Sequence, residues 1–197
     1  MYFAALRAIL QLKNNMLARL IYSLQLAHAH RRCLKTVPRV ENLTALDLKK
    51  IKNQGIDIII LDFDGVLAAH GEILPQKNTE QWLMQCLTFF GKEKIFILSN
   101  NPSIERQHYF EKLGVGFISA VKKKPYPDGL FQIAQQTRVN PQQMLLIDDR
   151  LLTGILATCL AKTQGILITK PYRNAFKNPL KETFFSLLRF LEQRLFS

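Results

Sequence analysis

The sequence predicts an α/β fold with a parallel sheet flanked by helices, and three observations carry that prediction. Short runs rich in Ile, Leu and Val alternate with stretches of helical periodicity over residues 56 to 170. Several of these runs stop abruptly on polar or charged residues, as strands do at the ligand-binding edge of a parallel sheet. The clearest is Ile58-Ile59-Ile60-Leu61-Asp62-Phe63-Asp64-Gly65, a continuous apolar run suited to a strand buried on both faces, closed by two carboxylates. Side chains alternate along an extended chain, so Asp62 and Asp64 are expected on one side and Phe63 on the other.

The elements follow in order. Phe3, Leu6, Ile9, Leu10, Leu17, Leu20, Ile21 and Leu24, with Arg7, Lys13, Asn14 and Arg19 elsewhere on the wheel, predict an amphipathic helix over 2 to 27. Pro38 and the polar stretch after it break that pattern, and a short helix over about 45 to 53 ends near Gly55. The first strand covers 57 to 61. A helix over 77 to 90 then buries Trp82, Leu83, Cys86, Leu87 and Phe90 at helical spacing, as ordinary core. A second strand, 94 to 98, runs into Ser99-Asn100-Asn101-Pro102; a helix over 103 to 113 ends at Gly114, and a short strand, 116 to 119, precedes Lys122-Lys123-Lys124-Pro125. A helix over 127 to 137 leads to the strand 144 to 147, which stops on Asp148-Asp149. A helix over 152 to 162 and a strand over 165 to 169 complete the series before Pro171. Strands and helices at this spacing imply right-handed crossovers and a Rossmann-like sheet.

With 197 residues and 48% apolar content, the chain suits one α/β domain of about 120 to 150 residues plus extensions. The expected division is a basic amphipathic N-terminal segment over 1–37, an α/β domain over 38–172 and a C-terminal amphipathic helix over 173–197. The net charge of +12 is concentrated in the flanks: residues 1 to 55 hold ten Lys/Arg against two acids, and residues 171 to 197 hold five against two. A basic, apolar, acid-poor flank suits an anionic surface. No stretch reaches the roughly 18 to 20 uncharged apolar residues that span a bilayer. Cys33, Cys86 and Cys159 lie far apart with no metal-ligand spacing, which argues against a disulfide framework or structural zinc and for a reducing compartment.

The strand ends carry the chemistry. Two carboxylates follow the first, a hydroxyl and amides the second, lysines the third and two more carboxylates the fourth, and in a parallel sheet all four emerge along one edge. Acid, hydroxyl, lysine and acid are what phosphoryl transfer to an aspartate requires: one carboxylate attacks phosphorus, others hold Mg²⁺, and Lys with Ser neutralises the phosphoryl oxygens.

In order and spacing, Asp62-Phe63-Asp64-Gly65-Val66-Leu67, Ser99-Asn100, Lys124-Pro125 and Asp148-Asp149 resemble the four motifs of the haloacid dehalogenase superfamily of phosphatases. Ser99-Asn100-Asn101, Lys124-Pro125 and Asp149-Arg150-Leu151-Leu152-Thr153 resemble the branch that contains bacterial and mitochondrial phosphatidylglycerophosphate phosphatases. The resemblance implies Asp62 as nucleophile and Asp64 as general acid and base. It implies Mg²⁺ held by Asp62, the Asp64 backbone carbonyl and Asp149, and a phosphoryl group bound by Ser99 and Lys124 with Asn100 lining the pocket. Two positions depart from the branch. Gly65-Val66 stands where the branch has Asn-Thr, and Gly154 stands where it carries a second acid, for which Asp148, in place of the usual Gly, is expected to compensate as a metal ligand.

Only about 30 residues separate Gly65 from the second strand, and about 22 separate Asn100 from Lys122, so neither gap holds a large cap domain. A capless site is expected to be open and to suit a bulky or surface-embedded substrate. The expected partners are therefore an anionic membrane surface and a lipid phosphate, with no nucleic acid. The expected location is the cytoplasmic face of a membrane, or the matrix face of the mitochondrial inner membrane if residues 1 to 32 are a transit peptide. The helix over 183 to 196 suits either that interface or one face of the sheet. A soluble phosphomonoester substrate is the alternative, and a non-catalytic binding module is the weaker one.

Overall fold

A computed structural model describes residues 16–119, 121–177 and 179–196. Helices α1 (Met16–Ala29) and α2 (Arg31–Thr36) open the described chain, followed by β1 (Arg39–Val40), α3 (Leu48–Asn53) and β2 (Ile58–Leu61). The expected helix over 2 to 27 is thus met from Met16 onward, and its positions Phe3 to Asn14 lie outside the described residues. Next come α4 (Lys77–Phe90), β3 (Ile95–Leu98), α5 (Ile104–Lys112), β4 (Gly116–Ile118) and α6 (Asp128–Thr137). The chain ends with β5 (Met144–Asp148), a wide turn of helix at Leu151–Ile155 continuing into α7 (Leu156–Ala161), β6 (Gln164–Ile168) and α8 (Pro179–Phe196).

The six strands form one sheet in the order β1-β6-β5-β2-β3-β4, and every neighbouring pair is parallel. The α/β fold expected from the alternation is the fold observed. Its edge strand β1 escaped the sequence reading because two residues carry no periodicity. The Ile/Leu run of β2 is explained by burial on both faces. Ile59 and Leu61 pack on one side with Trp82, Leu83 and Cys86 of α4, while Ile58 and Ile60 pack on the other with Leu130, Ile133 and Ala157. Each such side chain contributes roughly 1.5 to 3 kcal/mol relative to exposure.

A third cluster draws the termini onto this frame. Ala27 and Leu34 pack with Leu151, Leu152, Ile155 and Leu156, and Phe196 of α8 joins them. In the same region Cys33 and Cys159 form a disulfide. This corrects the expectation of three reduced thiols, which holds for Cys86 alone among the described residues. The bond spans 126 positions and joins α2 to α7, so no local spacing announced it. Cys86 is an apolar filler as expected, and burial pushes its thiol up to about 12.

Candidate active site

Strand register sets the site. Leu61 pairs with Ile97 on one side and Ile147 on the other, so Asp62 and Asp148 leave the sheet at the same level. Asp62 N donates to Ile147 O at 3.0 Å, which carries the ladder one step past the strand. The chain runs outward from β2 to β3 and β4, then returns to β5 on the other flank. The crevice outside the carboxyl ends at such a reversal is where open α/β sheets bind ligands.

Three carboxylates converge there. One oxygen each from Asp62, Asp148 and Asp149 lies within 4.8 Å of the others, and all three side chains are buried. Lys124 Nζ enters from the loop after β4, 2.5 Å from Asp148 Oδ2 and 3.0 Å from Asp62 Oδ1. Burial works against the Lys124 charge, but Asp148 and Asp62 prevail and raise its pKa. Burial pushes Asp62 up to about 8 despite Lys124, with Asp148, Asp149 and Asp64 adding repulsion. Burial also pushes Asp149 up to about 6, with Arg189 opposing and Asp148 reinforcing. Apart from the ion pair to Lys124, Asp62 Oδ1 has no hydrogen-bond partner. Three buried carboxylates, two of which resist ionisation, form an all-oxygen donor set that fits a hard divalent cation such as Mg²⁺.

The neighbours are braced by main-chain contacts. Asn100 Nδ2 donates to Lys124 O at 3.1 Å, and Lys124 N donates to Asn100 Oδ1 at 2.6 Å, so this amide fixes the lysine's backbone. Ser99 is buried at the end of β3, its Oγ accepting from Asn101 N at 3.2 Å.

Asp64 stands apart from the carboxylate cluster. The strand ends at Leu61, with Phe63 packed in the same cluster as Ile59 and Leu61. Arg106 of α5 reaches both Phe63 and Asp64: its guanidinium lies 3.8 Å from the Phe63 ring centre, while Nη2 and Nη1 bond the Asp64 carboxylate at 2.8 and 3.1 Å. Further bonds from Arg106 reach the carbonyls of Glu72 and Asn101. The side chain of Asp64 is therefore oriented by an arginine, and only its main chain remains available to the metal position expected for it. The sequence reading missed Arg106, since a basic residue two positions into a helix looks like a solvated one.

The sequence leaves the apolar face of the C-terminal helix to a membrane or to the sheet. In the structure the buried side of the helix is a stripe at 182, 185, 189, 192 and 196, which is helical spacing occupied mostly by charge. Arg189 Nε donates to Asp149 Oδ2 at 2.6 Å. Glu192 accepts from Leu151 N at 3.0 Å and pairs with Arg150, and Glu182 accepts from His70 N at 3.2 Å. Phe185 stacks on His70 with ring centres 4.2 Å apart. Leu187, Phe190, Leu191 and Leu195 face outward, with Phe190 62% exposed. His70 is thus engaged by α8.

Two glycines mark the departures from the resembled branch. Gly65 has φ of +91°, and a Cβ there would lie 2.4 Å from Asp149 Oδ2, so no asparagine fits. A Cβ on Gly154 would lie 2.0 Å from Asp148 Cγ. The Asp148 carboxylate fills the space into which a side chain at 154 would project.

Comparison with known proteins matches residues 15–157 to the haloacid dehalogenase-like hydrolases. Among solved structures, the chain is similar to an uncharacterized protein from Listeria monocytogenes serotype 4b at 15% identity and a TM-score of 0.47, covering 58% of this chain and 79% of that one. It is also similar to an uncharacterized protein from Corynebacterium glutamicum at 18% identity and a TM-score of 0.45, covering 68% of this chain and 95% of that one. No curated protein matches the chain.

Proposed function

The chain belongs to the haloacid dehalogenase-like hydrolases, and from that premise we propose that it is a Mg²⁺-dependent phosphomonoesterase acting through an aspartyl-phosphate, with phosphatidylglycerophosphate at a membrane surface as its substrate. The observation that carries the chemistry is the convergence of Asp62, Lys124, Asp148 and Asp149 at one sheet edge.

A carboxylate oxygen of Asp62 attacks phosphorus, and the ester P–O bond breaks as Asp64 protonates the departing alkoxide. Water then attacks phosphorus, Asp64 takes its proton, and the bond to Asp62 breaks, releasing inorganic phosphate, freeing the Asp62 carboxylate and leaving Asp64 protonated again. Lys124 and Ser99 hold the phosphoryl oxygens throughout, with Lys124 fixed by Asn100. Arg106 orients Asp64 through two hydrogen bonds to its carboxylate. Asp62, Asp148 and Asp149 would hold Mg²⁺, which supplies charge neutralisation to the phosphoryl group when bound.

The lipid assignment is supported by the outward face of α8, where Phe184, Leu187, Phe190, Leu191 and Leu195 are exposed on the helix that lies over the catalytic edge. Basic residues flank it, and an amphipathic helix among cations suits an anionic interface. Among the described residues no helix is long and apolar enough to cross a membrane, so attachment would be to the surface. Phosphate release from phosphatidylglycerophosphate in anionic vesicles, beside glycerol 3-phosphate in solution, tests the assignment. Preference for the vesicle substrate and co-flotation of the protein with the vesicles are expected; equal or better turnover of the soluble ester without flotation overturns it.

A further inference from the structure

Arg189 is the one cation at the site whose hydrogen-bonding capacity is mostly unspent among the described residues. It is 5% exposed, its Nε is committed to Asp149, and neither Nη1 nor Nη2 has a hydrogen-bond partner. Leaving charged donors of this kind buried and unmatched is costly, and a planar guanidinium edge suits the two oxygens of a phosphate or carboxylate. Its position is fixed: Glu192 one turn on accepts from Leu151 N and pairs with Arg150, and Phe196 is buried with Leu34 and Leu152. Arg189 also lies beyond residues 15–157, the range matched to the family.

The transferring phosphoryl group already has Lys124 and Ser99. Arg189 sits on Asp149 and comes from the helix whose outer face carries Leu187 and Phe190. A substrate arriving from that apolar face presents, between its acyl chains and its terminal phosphate, whatever group joins the two. The geometry points to Arg189 as a specificity-determining residue that binds a second anionic group of the substrate, the phosphodiester of a phospholipid that ends in a phosphomonoester. This assignment rests on the lipid phosphatase reading above and deepens it. It makes the distance between two phosphates, rather than the presence of acyl chains alone, the quantity selected.

The test uses the full chain with Mg²⁺ in mixed micelles, comparing phosphatidylglycerophosphate with phosphatidic acid, which has acyl chains and a phosphomonoester but no diester. The ratio of kcat/KM between the two lipids is independent of the folded fraction, so it remains readable if a variant is less stable. Arg189→Gln is expected to lower that ratio about tenfold or more, mainly through KM, and Arg189→Lys is expected to recover part of it. Equal losses on both lipids would overturn the assignment and leave Arg189 as a partner of Asp149 alone. A wild-type protein that hydrolyses glycerol 3-phosphate but neither lipid would overturn the lipid reading itself, and this assignment with it.

Discussion

Arg106 holds the Asp64 carboxylate through two parallel bonds of 2.8 and 3.1 Å while its guanidinium covers the Phe63 ring. One buried arginine thereby fixes the orientation of the carboxylate proposed to transfer the proton and the turn that carries it. The same side chain ties the loop at Glu72 to the loop at Asn101.

Replacing Arg106 by Met should therefore have two separable effects. Breaking a buried ion pair leaves an uncompensated carboxylate and costs about 3 to 5 kcal/mol, read as a lower urea midpoint. Misplacing the general acid should lower kcat by about 10² or more. Adding Asp64→Asn to Arg106→Met should recover stability without recovering activity; recovery of neither would mean that the carbonyl contacts, and not the ion pair, carry the structural role.

The charge state of Asp62 gives a pH prediction whose sign is fixed by burial. Its pKa is raised to about 8 in the fold against 3.8 for the ordinary group, so the folded state binds this proton more tightly. Its contribution to stability is complete below about pH 4 and is lost as pH rises through about 8. Thermal melts of the metal-free protein should thus show Asp62→Asn gaining stability over wild type as pH approaches 8, with no gain near pH 4, while turnover is abolished. Mg²⁺ competes with these protons, so its stabilising shift should grow with pH and shrink in Asp149→Asn. A Mg²⁺ shift that is independent of pH between 5 and 8 would argue against binding at these carboxylates.

What could be read in advance follows from how locally each feature is encoded. The strand ends at Asp62, Ser99 and Asp148 were legible because a run buried on both faces must be apolar, and a charge that ends it is conspicuous. Arg106, Arg189 and Glu192 were not, because their partners lie 40 or more positions away and each stands on a helix where charge normally means solvent. The polarity of α8 misled for the same reason. Glu182, Arg189 and Glu192 share a stripe at helical spacing, but only the site they cover makes that stripe the buried one.

The space shared by Asp148 and Gly154 can be tested by exchange. Gly154→Asp alone forces a side chain against Asp148 Cγ and should destabilise by about 1 to 3 kcal/mol or more. Asp148→Gly alone removes one of the two carboxylate partners of Lys124 and should weaken the Mg²⁺-induced thermal shift. Combining the two relieves the clash and returns an acid to the same volume, so the double variant should melt above Gly154→Asp and respond to Mg²⁺ more than Asp148→Gly. A double variant no better than either single one would show that the two positions are not interchangeable.

The bond between Cys33 and Cys159 makes a prediction that is independent of catalysis. It joins α2 to α7 next to the cluster in which Ala27 and Leu34 meet Leu156, so it fastens the N-terminal helices to the helix that follows the catalytic turn at Leu151–Ile155. Cys86 lies on the buried face of α4 and remains a thiol. Alkylation in denaturant without reductant should label one cysteine, and prior reduction should expose three. Closing so long a loop restricts the unfolded chain, so Cys33→Ser should lower stability by about 2 to 4 kcal/mol under oxidising conditions and by much less in reductant. The turn at Leu151–Ile155 also holds Glu192, which positions Arg189 on Asp149. Loosening α7 should therefore reach the active site, and Mg²⁺-dependent turnover should fall on reduction of the wild-type protein while Cys33→Ser is insensitive to reductant. Labelling of three thiols without reduction would remove the bond, and with it this route to the site.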